Sequence, residues 1–438
     1  MFSARTQLIV LSTVVVLLLS AAYPAAALTL KECITAALSH NPTIAEAQLG
    51  IESAEESVAS AEGKHWPRLS VDGSYTNRKD PLPYIPAKAV NIPARFDNEF
   101  SALSVTLSLP LYQGGQVTNS VSLAQVRRDI QEQTARQTKY DIMANTVNTY
   151  NKILQLNRLH DASQTSVKAL EEQVRNSRLL LDVGRIARVD LLKVEVQLAN
   201  EEQRLLSIDE GLKTAASTLI YLMGESPNSG AGPPLLADQL SVPLLNAGVD
   251  EGILLAHDRR PEYQAAQKGV EEAEYNRRIA TGKLLPSLSV YAGYLDQYGF
   301  NIHHEEANWQ TGLILSIPLF DRSSYADVAR EKIQKRRSEL RLVAVNNQIR
   351  LEVGNAVASL KESQNRITSA EKAVAQAEES FRIEQMKYAT GAGTVVDLLL
   401  AQAASVNAAA NYIQALFDYN AAVVSYRKAT GTLEDFLK

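Results

Sequence analysis

The same landmarks pass twice along this chain, in the same order, and that duplication limits its fold more than any other feature. GRIARVDLL at 184–192 returns as GAGTVVDLL at 391–399, offset by 207. NPTIAEAQ at 41–48 returns as RPEYQAAQ at 260–267, and WPRLSV at 66–71 as LPSLSV at 285–290, both offset by 219. LSLPLY at 107–112 returns as LSIPLF at 315–320, offset by 208, and Gly224 as Gly431, offset by 207. Ordered recurrence at this spacing marks a two-repeat protein. The offset falls by 11 between the two strand-like segments, where the first repeat carries a longer proline-rich stretch, NRKDPLPYIPAKAVNIPARFD (77–97), read as a loop.

Each repeat holds two segments of period two. Leu69, Val71, Gly73 and Tyr75 alternate with Arg68, Ser70, Asp72 and Ser74; Leu103, Val105, Leu107 and Leu109 alternate with Ala102, Ser104, Thr106 and Ser108. The second repeat offers Leu288, Val290, Ala292 and Tyr294, then Trp309, Thr311, Leu313, Leu315 and Ile317. Such alternation predicts strands with one apolar and one polar face. A small sheet packed on helices satisfies it; so does a membrane β-barrel, whose strands of about 9–11 residues meet lipid on one side and water on the other. Trp66, Tyr112 and Phe320 fall at one end of these strands, and Tyr75, Phe100, Tyr298, Phe300 and Trp309 toward the other, as two interfacial girdles require.

The remainder reads as helix, in keeping with 45% hydrophobic but only 6% aromatic residues. Residues 116–181 and 324–388 each form one helix of about 100 Å at 1.5 Å per residue. Shorter helices at 41–65 and 187–222, and at 261–284 and 394–429, together nearly span their long partner, so one continuous helix lies beside two stacked ones, twice over. The seam Ile349, Val353, Ala356, Leu360, Ser363, Ile367, Ala370, Val374, Ala377, Phe381 is spaced four and three throughout, the heptad of a left-handed coil. An ordinary coiled-coil rod explains the seam but not the strands. Gly184 and Gly391 end the long helices where left-handed C-caps belong. Thr394 and Asp397 have capping-box spacing, whereas the first repeat has Ala187 and keeps only Asp190 for the helix start. Capping alone is one reading of both aspartates; a functional role is the other.

Residues 1–27 read as a secretory signal peptide: Arg5, an apolar run from Leu8 to Leu19, and Ala25 and Ala27 before the cut. An uncleaved anchor is the alternative, but the run is shorter than the roughly 20 residues of a spanning helix. The only cysteine, Cys33, packs on a helix, and a formal charge of −5 argues against nucleic acid. The first repeat is placed at 28–230, a linker with short irregular elements at 231–258, and the second repeat at 259–438.

LTLKECITAALSHNP at 28–42, WPRLSV and LPSLSV, LSLPLYQGG and LSIPLFDRS, and the two glycine-to-aspartate turns together resemble the TolC family of outer-membrane efflux channels, over essentially all of 28–438. The resemblance implies a mainly α chain with a membrane β-barrel: a homotrimer whose chains each give four strands to a 12-strand barrel above a periplasmic α-helical barrel. It implies the exit duct of a tripartite efflux or type I secretion system, in the outer membrane of a Gram-negative bacterium with most of its mass in the periplasm and lipid around the barrel. It implies no cofactor and no enzymatic activity. A periplasmic adaptor and an inner-membrane pump would be its partners. The adaptor-docking tips then fall on Gly184, Arg185, Arg188, Asp190, Gly391, Gly393 and Asp397, and the gate on Tyr388, Asp190, Asp397 and Leu400, with the Tyr388 hydroxyl bonded to Asp190.

The chain departs from that pattern in two places. Leu400 stands where a second carboxylate would follow Asp397, and the second tip carries Ala392 and Gly393 while the arginines, Arg185 and Arg188, sit in the first. An enzyme is disfavoured, since no nucleophile–base pair, phosphate loop or zinc spacing is found. His160 falls on the first long helix's seam as a packed residue, and HHEE at 303–306 lies in the second outer loop as a weak metal candidate. The alternatives to a channel are a periplasmic adaptor or a coiled-coil structural protein of the envelope. An adaptor would need one hairpin rather than two, and no strands suited to lipid.

Overall fold

The computed structural model describes residues 27–85, 94–226, 235–243, 245 and 247–437. The leader read at 1–27, save Ala27, lies outside them. In chain order the elements are α1 (Leu30–His40), α2 (Pro42–Gly63), β1 (Arg68–Ile85), β2 (Arg95–Gln113), α3 (Gln116–Asp182), α4 (Arg188–Leu222), α5 (Val249–Arg259), α6 (Pro261–Gly282), β3 (Ser287–Gly299), β4 (His304–Ser316), α7 (Arg322–Ala389) and α8 (Val395–Thr430), closed by a 3₁₀ turn (Leu433–Leu437). None of these helices is long and apolar enough to cross a membrane. The chain divides into two units. One comprises 1–45, 139–255 and 351–438, the other 46–138 and 256–350.

The second unit holds all four strands in one antiparallel sheet, ordered β1-β2-β3-β4, so β1 and β4 are its edges. The register sets Val71 opposite Val105, Val105 opposite Tyr294 and Tyr294 opposite Trp309. Leu69, Leu107 and Ala292 make the neighbouring row, and Leu109, Val290 and Leu313 the next. The apolar positions expected on one face therefore do share it. Leu69, Val71, Trp309, Leu313 and Leu315 on that face are all more than 60% exposed.

Four sequence expectations change here. Of the stretch read as a loop at 77–97, residues 77–85 and 95–97 are strand, since β1 runs on to Ile85 and β2 starts at Arg95, while 86–93 lie outside the described residues. Pro81 and Pro83 are tolerated because β1 is an edge and its pairing shifts between Asn77 and Leu82. His304, Glu305 and Glu306 belong to β4 rather than to an outer loop; only His303, at φ 48°, sits in the turn. Trp309 lies midway along β4, level with Val71, not at the aromatic end. Tyr75, Phe100, Tyr298 and Phe300 do gather at that end, with the Phe300 ring 5.9 Å from Tyr75 and 5.1 Å from Tyr298. Lastly, the segment read as linker, 231–258, contains helix α5, which begins 219 residues after α1 and is its repeat counterpart.

The long helices are slightly longer than expected, 67 residues for α3 and 68 for α7. The α7 seam is as predicted. Val353, Ala356, Leu360, Ser363 and Ile367 are buried, while Ala370, Val374, Ala377 and Phe381 are half-buried. In the first unit Ile34 of α1 packs with Tyr140, Met143 and Val147 of α3, Val424 of α8 and Leu433. A full capping box of Thr29 and Glu32 starts α1. Cys33 is buried as expected, and burial pushes its thiol up to about 11. Residues 235–243 are pinned to this core. Leu28 donates to Leu235 at 2.8 Å, Ala237 donates to Leu28 at 3.0 Å, and the Tyr150 hydroxyl bonds Asp238 at 2.8 Å. Gly224, at φ 85°, lies against the His40 carbonyl where a Cβ would collide.

Ion pairs tie the helices next to the sheet. Glu274 on α6 accepts from Arg277 at 2.8 Å, Arg278 at 3.0 Å and Lys335 of α7 at 3.1 Å. These bonds, that from Arg277 foremost, hold its carboxyl far below the ordinary value of 4.5. A depressed carboxylate stabilises the fold above its unfolded pKa and loses that contribution as the pH falls toward its folded one. Glu274→Gln should therefore cost about 2 kcal/mol at neutral pH, a deficit that shrinks to nothing as acid unfolding of the two proteins is compared at successively lower pH below 4.5.

Candidate functional site

The two glycine turns are the same device built from different caps. At the first tip α3 stops at Asp182 and Gly184 takes φ 74°, with its N–H on the Leu181 carbonyl at 2.9 Å and that of Arg185 on Leu180 at 2.8 Å. At the second, α7 stops at Ala389 and Gly391 takes φ 78°, with its N–H on Tyr388 at 3.1 Å and that of Ala392 on Lys387 at 2.8 Å. This left-handed closure satisfies carbonyls that the helix leaves unpaired. A Cβ on either glycine meets no atom within 4 Å, so the preference for glycine there is conformational rather than steric.

The caps that follow differ. Thr394 accepts from the Asp397 N–H at 3.1 Å and donates its hydroxyl to the Asp397 carboxylate at 2.6 Å. Ala187 caps α4 with no side chain, and Asp190 takes Lys193 at 3.2 Å instead. Lys193, one helical turn beyond the aspartate, is a tip residue that the sequence reading missed; the i, i+3 spacing was its signal.

Both tips rest on one apolar cluster. Leu170 and Val174 of α3, Leu191 and Val194 of α4 and Val395 of α8 are buried there, with Tyr388 of α7 packed against them. Gly184, Arg185, Asp190, Tyr388 and Gly393 line one open recess between the turns. The structure thus brings Tyr388 and Asp190 together without bonding them: the Tyr388 hydroxyl is buried and, among the described residues, has no hydrogen-bond partner. Arg185 and Arg188 form no ion pair among the described residues. Leu400 is 65% exposed, as are, to similar degree, Val183 and Val196 on the first hairpin. His160 is half-buried, 3.4 Å from Asp209 and 3.5 Å from Asp161. No group of three or more metal-ligating side chains occurs among the described residues, and His304 reaches only Glu306, at 3.6 Å.

An exposed apolar sheet face with two edge strands, in a chain whose helices reach nearly seventy residues, defines a class of protein: a mainly helical chain that carries membrane-facing strands. The chain belongs to the outer membrane efflux protein family, whose model matches residues 33–225 and 253–432. It is an outer-membrane exit duct for efflux. It is 24% identical over 411 residues to outer membrane efflux protein BepC of Brucella suis biovar 1 (strain 1330), covering 92% of this chain and 86% of that one. It is 20% identical over 422 residues to outer membrane protein TolC of Vibrio cholerae serotype O1, covering 93% and 91%. The crystal structure of the outer membrane protein VceC from Vibrio cholerae shares its fold, with a TM-score of 0.78 at 19% identity, over 92% of this chain and 96% of that one.

The unequal caps make the repeats separable by stability. Thr394→Ala should cost about 1 kcal/mol by removing the only side-chain cap at the second tip, whereas Ala187→Ser should gain a similar amount at the first. Thermal unfolding of the two variants beside the parent checks both signs.

Proposed function

We propose that this exit duct is a homotrimer whose tips receive a periplasmic adaptor coupled to an inner-membrane pump. The observation that carries the reading is the four-stranded sheet with an exposed apolar face and two open edges. Unpaired backbone groups cannot face lipid, so the edges must meet strands of other copies. Two copies give eight strands, whose interior fills with side chains; three give twelve and leave a lumen. Cargo passes passively through that lumen, and the polar lining suits drugs, metal ions or secreted proteins alike.

The tips support the partner reading. They present exposed Val183, Val189, Met386, Val396 and Leu400 beside Arg185 and Arg188, a mixed surface of the kind partners cover. In the closed mouth the unpartnered Tyr388 hydroxyl finds Asp190 of a neighbouring hairpin, and three copies of Asp397 face the axis. Leu400 leaves Asp397 without a second carboxylate.

Mass measurement in detergent tests the assembly, and a stable monomer or dimer sinks it. For docking, Gly391→Val should leave heat-modifiable migration in the outer membrane intact, since the strands belong to the other unit, yet abolish export and adaptor crosslinking; normal export by an assembled variant removes the tips from docking. At the gate, Tyr388→Phe with Asp190→Asn should raise single-channel conductance. Breaking each such bond loosens the closed state by about 1 kcal/mol, three times over. Asp397→Ala should weaken cation selectivity, and trivalent cations should block the parent only weakly.

A further inference from the structure

The outer edges of the sheet-bearing unit carry opposite charge. Helix α2 leads into edge strand β1, and edge strand β4 leads into α7, so these two helices flank the unit. Helix α2 contains five glutamates, at 46, 52, 55, 56 and 62, and no basic residue. All five are exposed, and none forms an ion pair among the described residues. The sheet-proximal part of α7, 322–350, contains eight basic residues against three acidic ones. Of these, Arg322, Lys332, Arg337 and Arg341 are exposed and form no ion pair among the described residues. Exposed Ile333, Leu340 and Val343 run between these bases, and exposed Leu49 accompanies the acids.

The inner seams of the same unit use this pairing already. Arg127 of α3 meets Glu272 of α6 at 2.8 Å, Lys268 of α6 meets Asp129 of α3 at 3.3 Å, and Lys335 of α7 meets Glu274 of α6 at 3.1 Å. On their outer sides these two helices keep acids and bases that form no ion pair among the described residues, although Glu55 also feels the charge of Arg128 on α3. Counted from the sheet, the acids of α2 lie within its last 18 residues and the bases from Arg322 to Arg341 within the first 20 of α7, so the two sets sit at matching depth.

We propose that the acidic face of α2 in one copy seats on the basic face of α7 in the next, so that ring closure is steered head to tail by charge. The inference rests on the ring assembly proposed above and adds what selects it. A two-fold pairing of the same edges would lay glutamates on glutamates, or bases on bases. Like charges in contact disfavour that arrangement, while the heterologous contact repeats around a closed ring. The seam works as attraction to the right neighbour and rejection of the wrong one.

The test uses the full-length mature protein in detergent, with native mass measurement over a dilution series at low and high salt. Glu52→Lys with Glu56→Lys, and separately Lys332→Glu with Arg337→Glu, should each raise the concentration for half assembly about tenfold at low salt, with a smaller effect at high salt. All four changes together should restore assembly, which guards against variants that merely fold poorly. A parent that does not form the ring overturns the ring and the seam together. A parent that forms it, with both reversed variants assembling equally well or the fourfold variant no better than the worse pair, overturns the seam and leaves the ring standing.

Discussion

The outer backbone groups of β1 and β4 have no strand beside them among the described residues, and a strand edge in hydrocarbon must be paired. That constraint reaches most of the molecule. It gives the sheet a lipid-compatible face that would be an aggregation hazard in water, with Trp309, Leu313 and Leu315 uncovered. The prolines of β1 fall where this constraint is weakest, beyond Asn77, where the pairing with β2 already shifts. The helices that flank the sheet differ in charge, while those between them are joined by ion pairs.

Duplication supplied two copies of each part, and the copies differ in side chains at equivalent positions. Cys33 on α1 and Gly252 on α5 occupy equivalent positions, one a buried thiol and the other a gap filled by Val353. The tip glycines keep the same left-handed conformation within a few degrees of φ. Their helix starts do not match, since Thr394 caps α8 and Ala187 leaves α4 uncapped. Backbone geometry has therefore outlasted side-chain chemistry at these turns, as expected if reversing the chain is needed in both repeats but the polar contacts are specialised.

Much of this was legible without coordinates. The seam of α7, the apolar rows of the sheet and both glycine turns follow from periodicity and from the few residues that tolerate positive φ. What escaped notice has physical causes. Proline normally ends a strand, so 77–85 read as a loop until its edge position was known. Helix α5 is short and follows a stretch rich in glycine and proline, which hid its correspondence with α1. Trp309 was set at the aromatic end because alternation fixes the face of a strand residue but not its height, which only register supplies. The expected Tyr388–Asp190 bond is not made within the chain, because it depends on side-chain rotation, which sequence spacing does not decide.

The α7 seam has a mechanical consequence. Its apolar positions are closed off from Val353 to Ile367 and only half covered from Ala370 to Phe381. Bending a rod requires breaking the contacts on one side of it, so resistance falls where those contacts thin. The helix is stiff along its middle and compliant over its last five turns. A force applied at the Gly391 turn is then absorbed locally, as displacement of the tip, with little work done on the packed stretch behind it.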